Sequence, residues 1–396
     1  MSRTAFKIPH LLLSKMLAQG AFAALKSERS VENAVNLVKL VRISVGSGWV
    51  ETASIAPDIA SNDRLALTET EGEGDVCVSA LDIIKDIDSL QKPHTVTVEW
   101  DGHGTRQTPA GKVTLSAVTD KGRKTLTWTY DAYDPTNVPA LVGQPSQGPL
   151  LSLNLETLKD CVGSIGWAVK PACTEGVFDN VLLRTTENGI QFVATDGTQI
   201  GIVTPVLEAH KIGTKKQDFL LLNANLLKKA LSHWNETVEI SIVEDGDHVW
   251  LTGEGFGLRF PSPSNEVRNR YPVKLLDRLM ATPTEVKATL DRVEFIQAAK
   301  AAMARASGYC ALALTDGATE ISSNYRNSSK PALVGCSDAT GTLKKPIRLS
   351  CLGLLNASQA MRGDLMVAVN PDETRAVVRD TENPRIFFAF QHISET

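Results

Sequence analysis

What most constrains this chain is a repeat of pattern: a short strand, an amphipathic helix and further strands can be read six times along its 396 residues. Helical stretches open near Pro9, Ser79, Asn154, Asn223, Asp291 and Ser350, at intervals of roughly 60 to 75 residues, longer than common solenoid periods. Ser79, Asn154, Asn223, Asp291 and Ser350 can each accept a hydrogen bond from the first unpaired N–H groups of a helix, and Asp291 with Glu294 reads as a capping box. Pro9 suits a first helical turn instead. Apolar spacing then gives each helix one buried face. Leu226, Leu227, Ala230, Leu231 and Trp234 form such a stripe, as do Ile83, Ile84, Ile87 and Leu90; Leu155, Leu158, Val162 and Ile165; and Ile296, Ala299 and Met303.

Alternating runs between the helices, such as Thr95–Trp100, Thr237–Val243 and Leu365–Val369, predict strands with one wet face. Asp101-Gly102, Asp245-Gly246 and Asp316-Gly317 supply the positive backbone angles of tight hairpins. The fold class expected is α+β: antiparallel sheets carrying helices on one face, without βαβ alternation. A proline-rich stretch from Asp134 to Pro149 predicts an extended joint, and Ala281–Thr284 a shorter one. These joints divide the chain into domains at 1–147, 148–281 and 282–396, each long enough to bury a core.

With 42% hydrophobic and 22% charged residues, composition is that of an ordinary globular protein. No apolar run approaches a membrane span, and Leu11–Leu13 is flanked too closely by His10 and Lys15 to form a signal-peptide core, so no membrane partner and a cytoplasmic location are expected. Cys77, Cys161, Cys173, Cys310, Cys336 and Cys351 lack metal-ligand spacing and read as reduced thiols. The seven histidines are scattered. No metal or cofactor is expected. The acidic run Glu69–Asp75 reads as a solvated turn rather than a calcium loop. Nucleophile elbow, phosphate loop and dinucleotide fingerprint are all missing, so the chain is read as a non-enzyme.

The segment richest in specific content is Ala194-Thr-Asp-Gly-Thr-Gln-Ile-Gly201, a hairpin set after Asn154–Cys161 and Phe178–Leu183. Together with Tyr271-Pro272 and the closing run Ile386-Phe-Phe-Ala-Phe-Gln-His-Ile393, it resembles the bacterial DNA sliding clamp, the beta subunit family of DNA polymerase III. That family carries Ala-Thr-Asp-Gly-His-Arg-Leu-Ala in its middle domain, a Phe/Tyr-Pro step and an apolar C-terminal strand.

The resemblance implies three similar clamp domains, each of antiparallel sheets with two helices, and a head-to-tail homodimer closing as a six-domain ring. It implies a processivity factor that encircles double-stranded DNA without reading its sequence, opened by a clamp loader. A DNA polymerase and the loader would dock through short peptides in a groove carried onto Phe178, Thr195, Gly197, Thr198, Gln199, Ile200, Pro272, Phe388, Phe390 and His392. Phosphate contacts fall to Lys15, Lys26, Lys85, Lys159, Lys170, Lys228, Lys229, Lys300 and Arg362, although any one of these also reads as a solvated helix residue. The net charge of −4 does not decide the matter, since a basic lining can coexist with an acidic outer wall. Thr198-Gln199 stands where the family has His-Arg, Val273–Asp277 where it has an arginine-rich stretch, and Phe390-Gln391 where it has Met/Leu-Pro. A divergent polymerase partner, of phage or mobile-element type, and weak binding of ordinary clamp peptides are expected. The alternatives are a clamp-like interaction scaffold that does not encircle DNA and an enzyme using a groove around Asp196 and His392.

Overall fold

A computed structural model describes residues 3–26, 39–56, 59–90, 94–103, 109–119, 125–138, 145, 147–169, 176–187, 189–207, 219–234, 239–281, 284–305, 308–315, 318–322 and 331–392. Six times a strand leads into a helix, directly or across one residue. First, β1 (Thr4–Pro9) enters α1 (His10–Gly20), followed by α2 (Phe22–Lys26), β2 (Leu40–Gly46), β3 (Trp49–Ile55), β4 (Ala60–Ala66) and β5 (Thr70–Glu71). Next, β6 (Gly74–Ser79) enters α3 (Ala80–Asp88), with β7 (His94–Trp100), β8 (Gly111–Thr119) and β9 (Thr125–Ala132) beyond it. Then β10 (Leu151–Asn154) enters α4 (Leu155–Ile165), ahead of β11 (Asn180–Thr186), β12 (Gly189–Thr195) and β13 (Gln199–Val203). A fourth unit has β14 (Phe219–Asn223), α5 (Ala224–His233), β15 (Glu239–Asp245), β16 (His248–Gly253) and β17 (Phe256–Pro261), then α6 (Asn265–Arg270) and α7 (Val273–Ala281). The fifth has β18 (Val286–Leu290), α8 (Arg292–Arg305), β19 (Tyr309–Thr315), β20 (Ala318–Ser322), β21 (Ala332–Val334) and β22 (Cys336–Thr340). The sixth has β23 (Ile347–Ser350), α9 (Cys351–Ala360), β24 (Leu365–Val369), β25 (Arg375–Asp380) and β26 (Ile386–Gln391).

Capping chemistry explains several of these starts. Asn223 Oδ1 accepts from the Leu226 N–H at 3.0 Å, Asp291 Oδ1 from Glu294 N–H at 2.8 Å, and Ser350 Oγ from Gly353 N–H at 3.1 Å. Ser79 caps α3 by position only, without a side-chain bond. The Asp291–Glu294 box is half made: Glu294 Oε2 accepts from the Gly335 N–H at 2.7 Å, and the Asp291 N–H donates to the Gly335 carbonyl.

Four expectations need correction. α8 buries Phe295, Ala298, Ala299 and Ala302, while Met303 is 38% exposed, so its stripe keeps Ala299 but runs through Phe295 and Ala302 in place of Ile296 and Met303. Both stripes obey the helical period, and the bulky Phe295 ring selects the face. Asp101-Gly102 is not a tight hairpin, because β7 ends at Trp100 and β8 begins only at Gly111. Leu365–Val369 is buried on both faces except at Met366, rather than wet on one. Finally, Pro135–Asn137 forms a 3-10 turn, with Asp134 Oδ1 accepting from the Thr136 N–H at 2.8 Å, where extended chain was expected. The turn after Asp245 does have a positive angle, at Gly246 (φ 62°). Residues 316–317 lie outside the described residues.

The chain packs as two compact units, Met1–Leu155 with Lys229–Ser262, and Glu156–Lys228 with Pro263–Thr396. The first holds a five-stranded sheet ordered β5-β1-β7-β8-β9 and an eight-stranded one ordered β10-β15-β16-β17-β4-β3-β2-β6. Its core gathers Phe6, Leu13, Met16, Ile43, Ile83, Ile87, Val96 and Leu115. The second holds a nine-stranded sheet ordered β14-β11-β12-β13-β26-β25-β24-β18-β22 and a four-stranded one ordered β21-β20-β19-β23. The fold is thus α+β with antiparallel pairing throughout these ladders, as in β13 with β26 and β17 with β4. Cys77, Cys161, Cys310 and Cys351 are buried free thiols and Cys336 a partly buried one; Cys173 lies outside the described residues. Burial pushes the Cys77 and Cys161 thiols up to about 12, so both stay protonated near neutrality.

Candidate functional site

The Thr-Asp-Gly segment forms the tight turn between β12 and β13. Asp196 organises it: Oδ1 accepts from the Thr198 N–H (2.8 Å), the Thr198 hydroxyl (2.8 Å) and the Gln199 N–H (2.9 Å), while Oδ2 accepts from Gln199 Nε2 (2.8 Å). The Thr195 hydroxyl donates to the Gln199 carbonyl at 2.8 Å and accepts from the Gly197 N–H at 3.1 Å. Gly197 has φ 93°, and a Cβ there would lie 3.4 Å from the Phe178 ring, so glycine answers both angle and space. These bonds make the turn a rigid support for what lies beside it.

Beside it is a recess of about 160 Å³ lined by Phe178, Thr195, Gly197, Thr198, Ile200, Pro272, Arg375, Ala389, Phe390 and Gln391. Its floor is a core in which Val177, Leu182, Val193, Ile200, Ile202, Leu221, Leu276, Phe387 and Ala389 pack together. Tyr271 is buried in that core and its hydroxyl donates to the Val193 carbonyl at 3.4 Å; burial raises its pKa. The adjoining Pro272 leads into α7, tied to the sheet by Arg184 Nη1, 2.6 Å from Asp277 Oδ1. Arg184 is buried, and its Nε donates to Gln191 Oε1 at 3.0 Å.

Seven of the ten residues expected in the groove therefore line one recess, and Gln199, Phe388 and His392 do not. Strand geometry supplies the reason. β13 and β26 pair Gln199 with Phe390, Ile200 with Ala389, and Gly201 with Phe388, and side chains alternate between faces. Ile200 and Ala389 face the recess, whereas Phe388 lies on the other face, its ring 5.2 Å from that of Trp167. Phe390 borders the recess but its ring stacks on Trp167 at 6.2 Å and 13°. Gln199 Oε1 is buried without a hydrogen bond beside Gly353 of α9. His392 lines a separate pocket of about 390 Å³ with Lys345, Arg348, Asp372, Glu373 and Thr374, and its Nδ1 accepts from the Arg348 N–H at 3.1 Å. Of Ala389, Gln391 and Arg375, sequence reading names only Gln391, as part of the Phe390-Gln391 departure in the groove. The period of two along β26 points to the first two, and Arg375 pairs across the ladder with Gln391.

The basic candidates are scattered more widely. Lys159 on α4 and Arg362, just after α9, line one polar cleft of about 660 Å³. Lys85, Lys229 and Lys300 are exposed on α3, α5 and α8, and Lys15 is half-buried on α1 beside Asp63, Arg64 and Glu254. Lys228 is also exposed, and its ammonium donates to the Gly166 carbonyl at the end of α4, where partial burial lowers its pKa. Nothing is described of the Lys26 side chain, and Lys170 lies outside the described residues. No group of three or more His, Cys, Asp or Glu residues suited to a metal occurs among the described residues, and no described helix is long and apolar enough to cross a membrane.

Six strand-to-helix units on antiparallel sheets give this chain an architecture that matches the fold of the DNA sliding clamps. The chain is similar over its full length to the sliding clamp of Pseudomonas aeruginosa (DNA polymerase III subunit beta) in its complex with griselimycin, with TM-score 0.81, 16% identity and 100% of each chain covered. It is also similar to the putative DNA polymerase III beta subunit of Eubacterium rectale (TM-score 0.77, 12% identity, covering 99% of this chain and 100% of that one) and to the beta subunit of Thermotoga maritima (0.76, 13%, 99% and 100%). No protein-family sequence model matches the chain, and no curated protein sequence does. The resemblance is therefore one of fold, at low sequence identity.

Proposed function

We propose that this protein is a non-enzymatic processivity clamp: two copies close head to tail around duplex DNA and tether a polymerase and a loader through peptides seated in the recess. The observation carrying this reading is the whole-chain likeness to sliding clamps, which covers all six units of this chain. The three-domain division at 1–147, 148–281 and 282–396 belongs to the same proposal. Two sheet edges, terminal among the described residues, support closure. β9 ends the five-stranded sheet of the first unit and exposes Leu126 (38%), while β21 ends the four-stranded sheet of the second and exposes Leu333 (70%). Terminal strands that expose apolar side chains can be satisfied by pairing between copies.

A ring holds DNA by topology, so its cations need only be few and sequence-blind. Escape then requires opening an interface. The test is retention: purified protein loaded onto nicked circular duplex should stay bound through gel filtration in high salt and be lost once the circle is linearised. Loss from both forms would favour a scaffold that binds partners without enclosing DNA. Within the recess, Thr198, Arg375 and Gln391 give a polar rim over an apolar floor, which suits an anchor-in-pocket peptide. Calorimetry should show weak binding of an ordinary bacterial clamp-binding peptide; strong binding would contradict the inference that the altered rim has shifted preference.

A further inference from the structure

We propose that the cleft between α4 and α9 binds single-stranded nucleic acid, seating an unpaired base against Trp167. The cleft lies over the seam where β13 and β26 pair, on the opposite face of the sheet from the peptide recess; Val203 and Ile386, which pair across that seam, form part of its wall. At about 660 Å³ it falls within the range of roughly 300–1,000 Å³ typical of small-ligand sites. A flat basic surface suffices for duplex phosphates, whereas a recess walled by an indole and side-chain amides matches what an unstacked base offers.

Trp167 is held in advance. Its Nε1–H donates to the Ser164 carbonyl at 2.7 Å, and its half-buried ring is backed by Phe388 and Phe390. Little side-chain freedom remains to be lost when a base stacks on it. Lys159 on one helix and Arg362 after the other place a cation on each side for the strand's phosphates. Asn356 and Gln359 on α9 present donors and acceptors suited to base edges, and the Asp160 carboxylate can accept from a base N–H, such as thymine N3–H, while repelling a bare polyanion. The mixture selects a base with its phosphate over phosphate alone. This inference rests on the reading of these helices as the nucleic-acid side of the clamp, and it adds a preference for strand that encirclement does not require.

The test uses the full-length protein with a short fluorescein-labelled oligothymidylate and a blunt duplex of equal length, followed by fluorescence anisotropy. The oligothymidylate should bind roughly tenfold or more tightly than the duplex, and Trp167→Leu should remove that advantage, in line with the usual worth of base–aromatic stacking. Because Trp167 packs against two phenylalanines, a second variant, Gln359→Glu with Arg362→Glu, carries the test on exposed positions; it should abolish oligothymidylate binding with the melting temperature unchanged. Equal affinity for the two probes, or single-strand affinity untouched by the second variant, overturns the proposal. Retention of the wild-type protein on circular duplex is scored separately. Retention without single-strand binding sinks this inference alone, and single-strand binding without retention sinks the ring.

Discussion

At the scale of single residues, the Asp196 carboxylate does more than mark a turn. It accepts four hydrogen bonds from two residues, and the recess wall built from Thr195, Gly197 and Thr198 depends on it. Asp196→Ala should cost about 1–3 kcal/mol in urea unfolding and weaken peptide binding in calorimetry, because the backbone donors at Thr198 and Gln199 lose their acceptor. The cations divide by what they already hold. The Lys228 ammonium is held by the Gly166 carbonyl, whereas the Arg362 guanidinium lines the polar cleft, both side chains being exposed. Arg362→Ala should therefore lower DNA affinity and reduce the slope of log affinity against log salt by about one, while Lys228→Ala should leave that slope unchanged.

Among elements, β26 is the most informative, because its two faces answer to different neighbours. Phe388→Ala should cost about 3–5 kcal/mol in thermal or chemical denaturation, since a fully buried ring against Trp167 is removed. In protein that remains folded, peptide binding should persist. Ala389→Arg should give the opposite result, abolishing peptide binding measured by calorimetry through occlusion of the recess. Sequence reading placed the helix starts well, because Asn223, Asp291 and Ser350 carry their own capping acceptors, and it found the Asp196 turn because Thr-Asp-Gly is local chemistry. It chose the wrong face of α8, since Phe295 and Ile296 begin equally good stripes and only packing separates them. It also mixed the two faces of β26: the period of two separates them, but in a run of apolar residues buried on both sides only the register with β13 says which set faces the recess. α6 and α7 were missed because they lie between a strand and a proline-bearing joint where no repeat pattern calls for a helix. The contribution of Arg375 comes from its ladder pairing with Gln391, distant in sequence from the motif itself.

For the whole molecule, the decisive quantity is the strength of contact between copies. Leu333 on the β21 edge is exposed where a partner strand would lie, so Leu333→Asp should weaken self-association tenfold or more, about 1.4 kcal/mol, in sedimentation while leaving the monomer's melting curve unchanged. Retention on circular DNA should fall in parallel. A protein that shows no self-association before the substitution would remove the basis for the ring. The β13–β26 seam carries a separate implication for change over time. Five of the six positions of β26 are buried, and only Gln391 reaches the exterior. A new docking peptide could thus be accommodated cheaply at that one rim position or at Arg375 opposite it, whereas any adjustment deeper in the strand would disturb the packing behind it. Descendants of this chain that change partners should accordingly vary at its lip and stay constant along its spine.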